Sequence, residues 1–150
     1  MSSHIVLWFY QIAYRLYLFR IPFLPKMINL IFVRMLFGCQ IGLGAKIGKK
    51  VNLAYGGLGV VIHDRVIIGN NVSIGTNVTI GGTSKKHQVP IIGDNSLLST
   101  GCKIIGPVKI GENCVIGANA VVTKDIPEMS LAVGIPAKVI KKKISIHNYR

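Results

Sequence analysis

The chain carries a six-residue hydrophobic repeat over most of its length. An aliphatic residue marks each repeat, and glycine follows eight of the thirteen marks. This period fits neither a single helix nor an alternating strand, and it predicts a solenoid in which each hexad forms one short strand and one corner. The marks are Ile41, Ile47, Leu53, Ile62, Ile68, Ile74, Ile80, Ile92, Leu98, Ile104, Ile110, Ile116 and Val122.

The positions between the marks follow the same repeat. Asparagine recurs three residues after a mark, where a corner with left-handed backbone favours it, at Asn71, Asn77, Asn95, Asn113 and Asn119. With three strands per turn, the hexads predict four to five coils. The same count predicts one stacked column of Ile62, Ile80, Leu98 and Ile116.

Two interruptions break the repeat. Nine residues separate Leu53 from Ile62 across a glycine-rich stretch, and twelve separate Ile80 from Ile92, where residues 81–90 are predicted to replace one hexad. Insertions into a solenoid emerge as surface loops, and binding groups usually lie on such loops. We therefore expect the chemistry of the protein at these two interruptions.

Residues 1–37 differ from the repeats, since they are bulky, apolar and almost free of glycine. We predict two short helices here, divided by Pro22 and Pro25. The first apolar run is about half of the roughly 20 residues that a membrane-spanning helix needs. Two interpretations stay open, a helical cap over the open end of the solenoid and a helix pair lying on a membrane. The predicted divisions are residues 1–37, a repeat domain over 38–137, and a basic tail over 138–150.

The charge is strongly one-sided, with 18 Lys and Arg against 5 Asp and Glu and a net charge of +13. Such a surface favours an anionic partner, either nucleic acid, an anionic membrane or a phosphorylated cofactor. Nucleic acid is the least favoured, because no aromatic residues interleave with the basic residues of the repeats.

The three cysteines share one phase of the repeat. Cys39, Cys102 and Cys114 each stand two residues before a mark, so we interpret them as small core residues. No spacing typical of a metal site is present, and unpaired cysteines predict a cytoplasmic protein.

Two histidines are candidates for catalysis. His63 directly follows Ile62 and precedes Asp64, and His87 lies in the longer interruption. Because Ile62 and Ile80 occupy equivalent places on successive coils, we expect His63 one coil away from Gly81, at the root of that interruption. A histidine suits the removal of a proton from a hydroxyl group. The alternative is that both are ordinary surface histidines.

Three segments carry a resemblance to a known family: VSIGTNVTIGGTSKK at 72–86, PIIGDNSLLSTGCKIIGPVKIGENCVIGANAVVTKDIP at 90–127, and VGIPAKVI at 133–140. They resemble the hexapeptide-repeat acyltransferases, most closely the serine acetyltransferases and related polysaccharide O-acetyltransferases. The resemblance implies a left-handed parallel β-helix. Together with the helices expected in residues 1–37, the predicted fold is all-β, a left-handed parallel β-helix of hexapeptide repeats with a short N-terminal helical segment. It also implies a homotrimer with active sites between subunits and acetyl-CoA in a groove between coils.

The cofactor positions of the family match this sequence well. The resemblance places the Gly-Thr of the loop at Gly82 and Thr83, and we add Lys85 beside them as a cofactor-binding candidate. It places the small residues beside the pantetheine arm at Thr100 and Ala118. The C-terminal motif corresponds to Gly134, Pro136, Ala137 and Lys138, where Lys138 and the lysines at 141–143 are candidates for the CoA phosphates. The alternative is that these lysines form a solvated basic tail.

The catalytic positions of the family match poorly. The places of its His/Asp pair hold Tyr55 and Gln40, and its acceptor-binding Arg-His falls on Gln88 and Val89. Three explanations stay open. His63 acts as the base with Asp64 orienting it, or His87 acts from a neighbouring subunit, or the activity has been lost; Tyr55 remains a candidate to hydrogen-bond the acceptor.

These observations predict an acetyl-CoA-dependent O-acetyltransferase with a histidine general base and no metal. The acceptor is serine, as the resemblance implies, or a sugar hydroxyl of a surface polysaccharide. The alternatives are a catalytically inactive repeat scaffold and a basic membrane-binding module. We expect a cytoplasmic location, with peripheral contact at the inner face of the membrane as a further option.

Overall fold

The computed structural model describes residues 2–149, with side chains described from residue 5 onward. Met1 and Arg150, which belong to the predicted first and last segments, lie outside the described residues. The chain begins with helix α1 (Ser2–Leu18) and a tight turn, followed by helix α2 (Leu24–Ile28). A π-helical segment, Asn29–Met35, continues directly from α2.

Three sheets of very short strands follow, and they form the three faces of a solenoid. The first face stacks β1 (Gln40–Ile41), β4 (Val61–Ile62), β7 (Thr79–Gly81), β10 (Lys103–Ile105) and β13 (Val121–Val122). The second stacks β2 (Lys46–Ile47), β5 (Ile67–Ile68), β8 (Ile91–Ile92) and β11 (Lys109–Ile110). The third stacks β3 (Asn52–Leu53), β6 (Ser73–Ile74), β9 (Leu97–Leu98), β12 (Val115–Ile116), β14 (Ser130–Val133) and β15 (Lys138–Lys142).

All strand pairs are parallel except the last, β14 with β15. The chain therefore visits the faces in a fixed order. The fold is a left-handed parallel β-helix, as predicted. We call the corner between the first and second faces the first edge, that between the second and third faces the second edge, and that between the third and first faces the third edge.

The marked aliphatic residues fill the interior in three columns, because stacked strands align them. Ile41, Ile62, Ile80 and Ile104 are all buried and in register on the first face. Burial of such columns removes apolar surface from water and is the main stabilising contribution to a solenoid. Cys39, Cys102 and Cys114 are buried among them, which confirms that they are core residues.

One predicted column is wrong. Ile80 pairs with Ile104 on the first face, whereas Leu98 pairs with Ile74 and Ile116 on the third. The twelve-residue interruption does not replace a strand. It lengthens the first edge by six residues, so that Ile92 stacks on Ile68 and the three faces keep their order.

The five asparagines predicted at corners all have left-handed backbone, with φ between 54° and 58°. Asn71 donates to Asn95 across one coil at 2.9 Å, so the second edge carries a short ladder of side-chain amides. Left-handed backbone costs asparagine less than most residues, and stacked amides satisfy one another.

Helix α1 lies over the open end of the first coil. Its side chains Val6, Tyr10 and Ala13 are buried there. The Tyr10 hydroxyl lies 2.9 Å from the Gly42 carbonyl and 2.7 Å from the Ala45 carbonyl, both at the first edge. Asn29 donates to the Ile41 carbonyl at 2.8 Å. These contacts give hydrogen-bond partners to carbonyl groups at the open end of the solenoid, where no further coil is present to supply them.

Among the helices of the described residues, none is long and apolar enough to cross a membrane.

Candidate active site

His63 and Asp64 form a pair on the first edge, directly after β4. The Nδ1 atom of His63 lies 2.8 Å from a carboxylate oxygen of Asp64. Roughly a third of the His63 side chain and more than half of the Asp64 side chain are exposed, at 36% and 61%. The imidazole is thus oriented by a neighbour while one side of it stays open to a second molecule.

The same Nδ1 atom has a second partner, the backbone N–H of Arg65 at 3.2 Å. These partners select opposite tautomers. A proton on Nδ1 is donated to Asp64 and leaves Nε2 free to accept a proton, whereas a bare Nδ1 accepts the Arg65 N–H and puts the proton on Nε2. Asp64 therefore favours the tautomer that can act as a general base at Nε2.

The backbone holds this corner on both sides. Below, Gly42 and Gly44 of the first coil lie so close to Asp64 that a side-chain carbon on either would fall within 2.7 Å of Asp64 atoms. Above, the His63 N–H donates to the Ile80 carbonyl at 2.9 Å. Ile62 pairs with Ile80, so His63 lies beside Gly81 at the root of the long loop, as the sequence predicted.

The long loop, residues 82–90, leaves and re-enters the solenoid at this same first edge. Thr83 lies over the next coil, where its side chain is the nearest neighbour of Gly106. The loop turns at Lys85, which has φ 66°, and the Lys86 N–H donates to the Thr83 carbonyl at 3.3 Å. His87 is exposed. Gly82, Thr83, Lys85 and His87 are thus on the edge that carries His63.

Tyr55 lies elsewhere, in the shorter interruption on the third edge. Its backbone is left-handed, with φ 50° and ψ 38°, and its side chain is 87% exposed. Residues with such strained backbone conformations are found frequently at binding sites. Within one chain Tyr55 and His63 occupy different edges, so the four catalytic candidates do not form one cluster.

A groove of about 310 Å³ runs along the third face to the third edge. Its lining includes Thr100, Gly75, Ser73, Ser99 and Ala54, the residue before Tyr55. These small side chains leave room for a thin extended molecule against the backbone. Thr100 was predicted from the family resemblance. Ser73 and Ser99 were missed, although each lies next to a mark of the repeat.

The remaining cofactor candidates continue along the third edge. Ala118 is one coil beyond Thr100, since the Asn119 N–H donates to the Thr100 carbonyl at 3.0 Å. Gly134 follows β14 on the next coil, and its carbonyl accepts from the Val121 N–H at 3.0 Å. Pro136 is exposed and Ala137 half-buried in the turn that leads to β15. Lys138 and the lysines at 141–143 are exposed on and just after β15.

The cysteines contribute no nucleophile. Burial raises the pKa of Cys39 to about 11 and that of Cys102 to about 12, and it also raises the pKa of Cys114. Their thiols therefore stay protonated at neutral pH. The described part of the chain contains no group of three or more His, Cys, Asp or Glu side chains placed to hold a metal ion.

Comparison with known proteins gives consistent results. Residues 90–124 match the family model described as bacterial transferase hexapeptide (six repeats). A serine acetyltransferase of Staphylococcus epidermidis is 42% identical over 138 residues, which are 91% of this chain and 64% of the relative. A serine acetyltransferase of Bacillus subtilis is 40% identical over 136 residues, 89% of this chain and 62% of the relative. The chain thus spans less than two thirds of the length of these relatives.

Solved structures of serine acetyltransferases share the fold. One described as a complex with CoA has a TM-score of 0.82 at 30% identity, covering 90% of this chain and 55% of that one. The soybean enzyme complexed with serine has a TM-score of 0.81 at 34% identity, covering 90% and 56%. The chain is a hexapeptide-repeat β-helix protein that resembles the serine acetyltransferases in sequence and in fold.

Proposed function

We propose that the protein transfers the acetyl group of acetyl-CoA to the hydroxyl group of a small molecule or glycan. The observation that carries this proposal is the His63–Asp64 pair, with Nδ1 held at 2.8 Å by a carboxylate and the side chain partly open at the root of a loop. The names of the relatives, and the CoA complex among the similar structures, support the same reaction.

The proposed step needs one base and no covalent intermediate on the protein. The Nε2 atom of His63 accepts the proton of the acceptor hydroxyl while its oxygen attacks the thioester carbonyl. The carbon–sulfur bond breaks, and the departing thiolate takes the proton back from His63. Asp64 stabilises the imidazolium that exists between these two proton transfers.

The groove of the third edge suits the co-substrate. Thr100 and its small neighbours leave space for a pantetheine arm. Ala118 and Gly134 lie on the following coils of the same edge, and the exposed lysines come after them in the chain. Lysine side chains attract phosphate groups as point charges. We assign Lys138 and the tail lysines to the phosphates of CoA, with Gly82, Thr83 and Lys85 contacting it from the loop.

The base and the groove lie on different edges of one chain. A single copy therefore holds two halves of a site, and we propose a homotrimer in which the first edge of one subunit faces the third edge of the next. This arrangement brings His63 of one copy near Thr100 and Tyr55 of another. His87, in the loop, is the alternative base in the same interface.

Two acceptors remain distinct alternatives. Serine is favoured by the names of the relatives and by the soybean structure complexed with serine. A sugar hydroxyl is favoured by Gln88 and Val89, which stand where the resemblance would place the acceptor-binding Arg-His. We propose a cytoplasmic setting for either acceptor, with peripheral contact at the inner face of the membrane as the option that suits a glycan acceptor.

The decisive variant is His63→Ala, with His87→Ala as its matched control. We expect His63→Ala to lower turnover by roughly 10²–10⁴-fold, because a positioned general base contributes about that factor. Acetyl transfer to serine and to nucleotide- or lipid-linked sugars is followed by mass spectrometry, and CoA affinity by calorimetry. CoA affinity should be unchanged in both variants, and turnover should fall only in the first.

Other outcomes are equally specific. Near-normal turnover of His63→Ala, with loss in His87→Ala, assigns the base to the loop. Retained CoA binding by the wild-type protein without transfer to any acceptor supports an inactive scaffold. Absence of CoA binding contradicts the proposal altogether.

A further inference from the structure

The helical segment, residues 5–36, exposes many large apolar side chains. Among the described residues, 14 of the 22 large hydrophobic side chains that are exposed lie in this segment. Soluble proteins rarely expose large contiguous apolar patches unless a partner covers them. We call the following exposed set the apolar rim: Tyr17, Leu18, Phe19, Ile21, Phe23, Leu24, Met27, Leu30, Ile31, Phe32, Met35 and Leu36.

The buried side chains of the cap are not those of the apolar rim, although Phe32 of the rim stacks on Phe9 of α1, with ring centroids 4.5 Å apart. The side of α1 that covers the first coil consists of Val6, Tyr10 and Ala13, which are buried. The rim lies on the last turn of α1, on the turn after it and on the helices that follow. Phe19 and Phe23, on either side of this turn, are the most exposed of its side chains at 79% each.

Two neighbouring grooves lie along the rim. A groove of about 480 Å³ lies at the turn between the helices, lined by apolar side chains together with Arg20 and Lys26. A second groove of about 260 Å³ lies beside the π-helical segment and includes Leu30 and Arg34. Lys26 lines both grooves, so the two grooves are neighbours.

The charges around the rim have a single sign. Arg15, Arg20, Lys26 and Arg34 are all exposed, and the first acidic residue of the chain is Asp64. No carboxylate of the helical segment or the first coil therefore opposes an anionic partner. Apolar side chains bordered by Arg and Lys are typical of segments that lie in the headgroup region of anionic bilayers.

We propose that the apolar rim docks on the surface of an anionic phospholipid bilayer. Phe19 and Phe23 enter the boundary between headgroups and acyl chains, and Arg20 and Lys26 bind lipid phosphates beside them. The helices lie on the membrane without crossing it. This inference stands on the rim alone and does not require that acetyl transfer occurs.

Vesicle co-sedimentation of the full chain tests whether the basic residues of the rim contribute to membrane binding. The vesicles contain phosphatidylglycerol and phosphatidylcholine, or phosphatidylcholine alone. We expect binding to the anionic vesicles that weakens with salt, and much weaker binding to the neutral ones. Arg20→Glu/Lys26→Glu should lower affinity by at least roughly tenfold, since each basic residue near the surface contributes about fivefold.

The matched control is Lys141→Glu/Lys142→Glu. It changes the net charge by the same amount in the exposed tail, far along the chain from the rim. We expect its affinity for anionic vesicles to fall by less than about threefold, because those lysines stay outside the surface layer. An equal loss in both double variants would show that overall charge, and not the rim, drives binding, and would overturn the proposal.

The apolar part is tested with Phe19→Ser/Phe23→Ser against Ile140→Ser, a 56% exposed apolar residue of β15. Only the first should lose binding to anionic vesicles, while circular dichroism and thermal unfolding of both stay like the wild type. Absence of wild-type binding contradicts the proposal. Self-association without lipid, abolished by Phe19→Ser/Phe23→Ser, would assign the rim to a second copy instead.

Discussion

At the scale of single residues, the position of one proton decides whether His63 can act. Its Nδ1 atom lies within reach of both the Asp64 carboxylate and the Arg65 N–H, at 2.8 Å and 3.2 Å. The sequence indicated the pair, because His63 directly follows the mark Ile62, at a position where glycine is usual. The competing Arg65 N–H could not be predicted from the sequence, because its position depends on the backbone conformation of the corner.

Asp64→Ala tests this tautomer argument. Without the carboxylate, the Arg65 N–H is the remaining partner of Nδ1, so the proton moves to Nε2 and the base is blocked. We expect turnover to fall by roughly 10-fold to 10²-fold with little change in CoA affinity. Steady-state kinetics measures the turnover of Asp64→Ala, and Asp94→Ala, which removes a carboxylate from another edge, is the control. Equal turnover in wild type and Asp64→Ala would show that the carboxylate does not orient the base.

The buried cysteines give a prediction on pH. Burial raises the pKa of Cys39 to about 11 and of Cys102 to about 12, above their ordinary value of 9.0. The unfolded chain thus loses these protons first as the pH rises. Their contribution to stability is complete below about pH 9 and is lost as the pH rises from about 9 to 11 and beyond.

Two measurements follow from these thiols. At pH 8 a thiol reagent should react with Cys39 about 100-fold more slowly in the folded protein than in guanidinium, because the thiolate is the reactive form. Denaturant titrations from pH 8 to 11 should show a loss of stability that is smaller in Cys39→Ala/Cys102→Ala. Rapid labelling of the folded protein at pH 8 would contradict the assignment of these residues to the core.

At the scale of elements, the hexads predicted the strands, the corners and the inward columns, since a single local pattern fixes each of them. The column through Leu98 was wrong for a physical reason. A spacing of twelve residues fits either a missing strand or a longer corner, and only backbone pairing decides between them. The long loop lengthens the corner without displacing a strand, because the chain leaves the solenoid after Gly81 and returns to it at Pro90 on the same edge.

The close stacking of coils makes certain glycines irreplaceable. A side-chain carbon on Gly93 would lie 2.6 Å from the Gly111 carbonyl carbon of the next coil, whereas one on Gly81 would meet nothing closer than 3.8 Å. We expect Gly93→Ala to lower the free energy of unfolding by about 2 kcal/mol or more, as overpacking does, and Gly81→Ala by less than about 1 kcal/mol. Chemical denaturation compares them, and similar values would refute the stacking argument.

At the scale of the whole molecule, the proposed base and the proposed cofactor groove lie on different edges of one chain. His63 is on the first edge, while Tyr55 and the Thr100 groove are on the third. The sequence indicated both groups of residues. It could not place them on separate edges, because the path of each interruption depends on contacts between coils.

Mixed trimers test the proposed assembly. Thr100→Trp should fill the groove, and His63→Ala should remove the base, so each homotrimer is inactive. When the two variants are refolded together in equal amounts, about a quarter of the interfaces should combine an intact His63 with an intact groove. Recovery of about that fraction of wild-type activity supports the shared site. No recovery, with trimers confirmed by ultracentrifugation, places the whole site within one chain.

The contact between Tyr10 and the first coil has a consequence for the substrate. Tyr10 holds the carbonyls of Gly42 and Ala45, and the His63–Asp64 corner rests directly on that part of the coil. Neighbouring strands are about 4.8 Å apart, so only one such layer separates α1 from the His63 corner. With the apolar rim docked on a bilayer at this end of the solenoid, an acceptor tethered to lipid would be held at the same surface that the His63 corner lies near. A freely diffusing acceptor would gain nothing from the closeness of the His63 corner to the membrane.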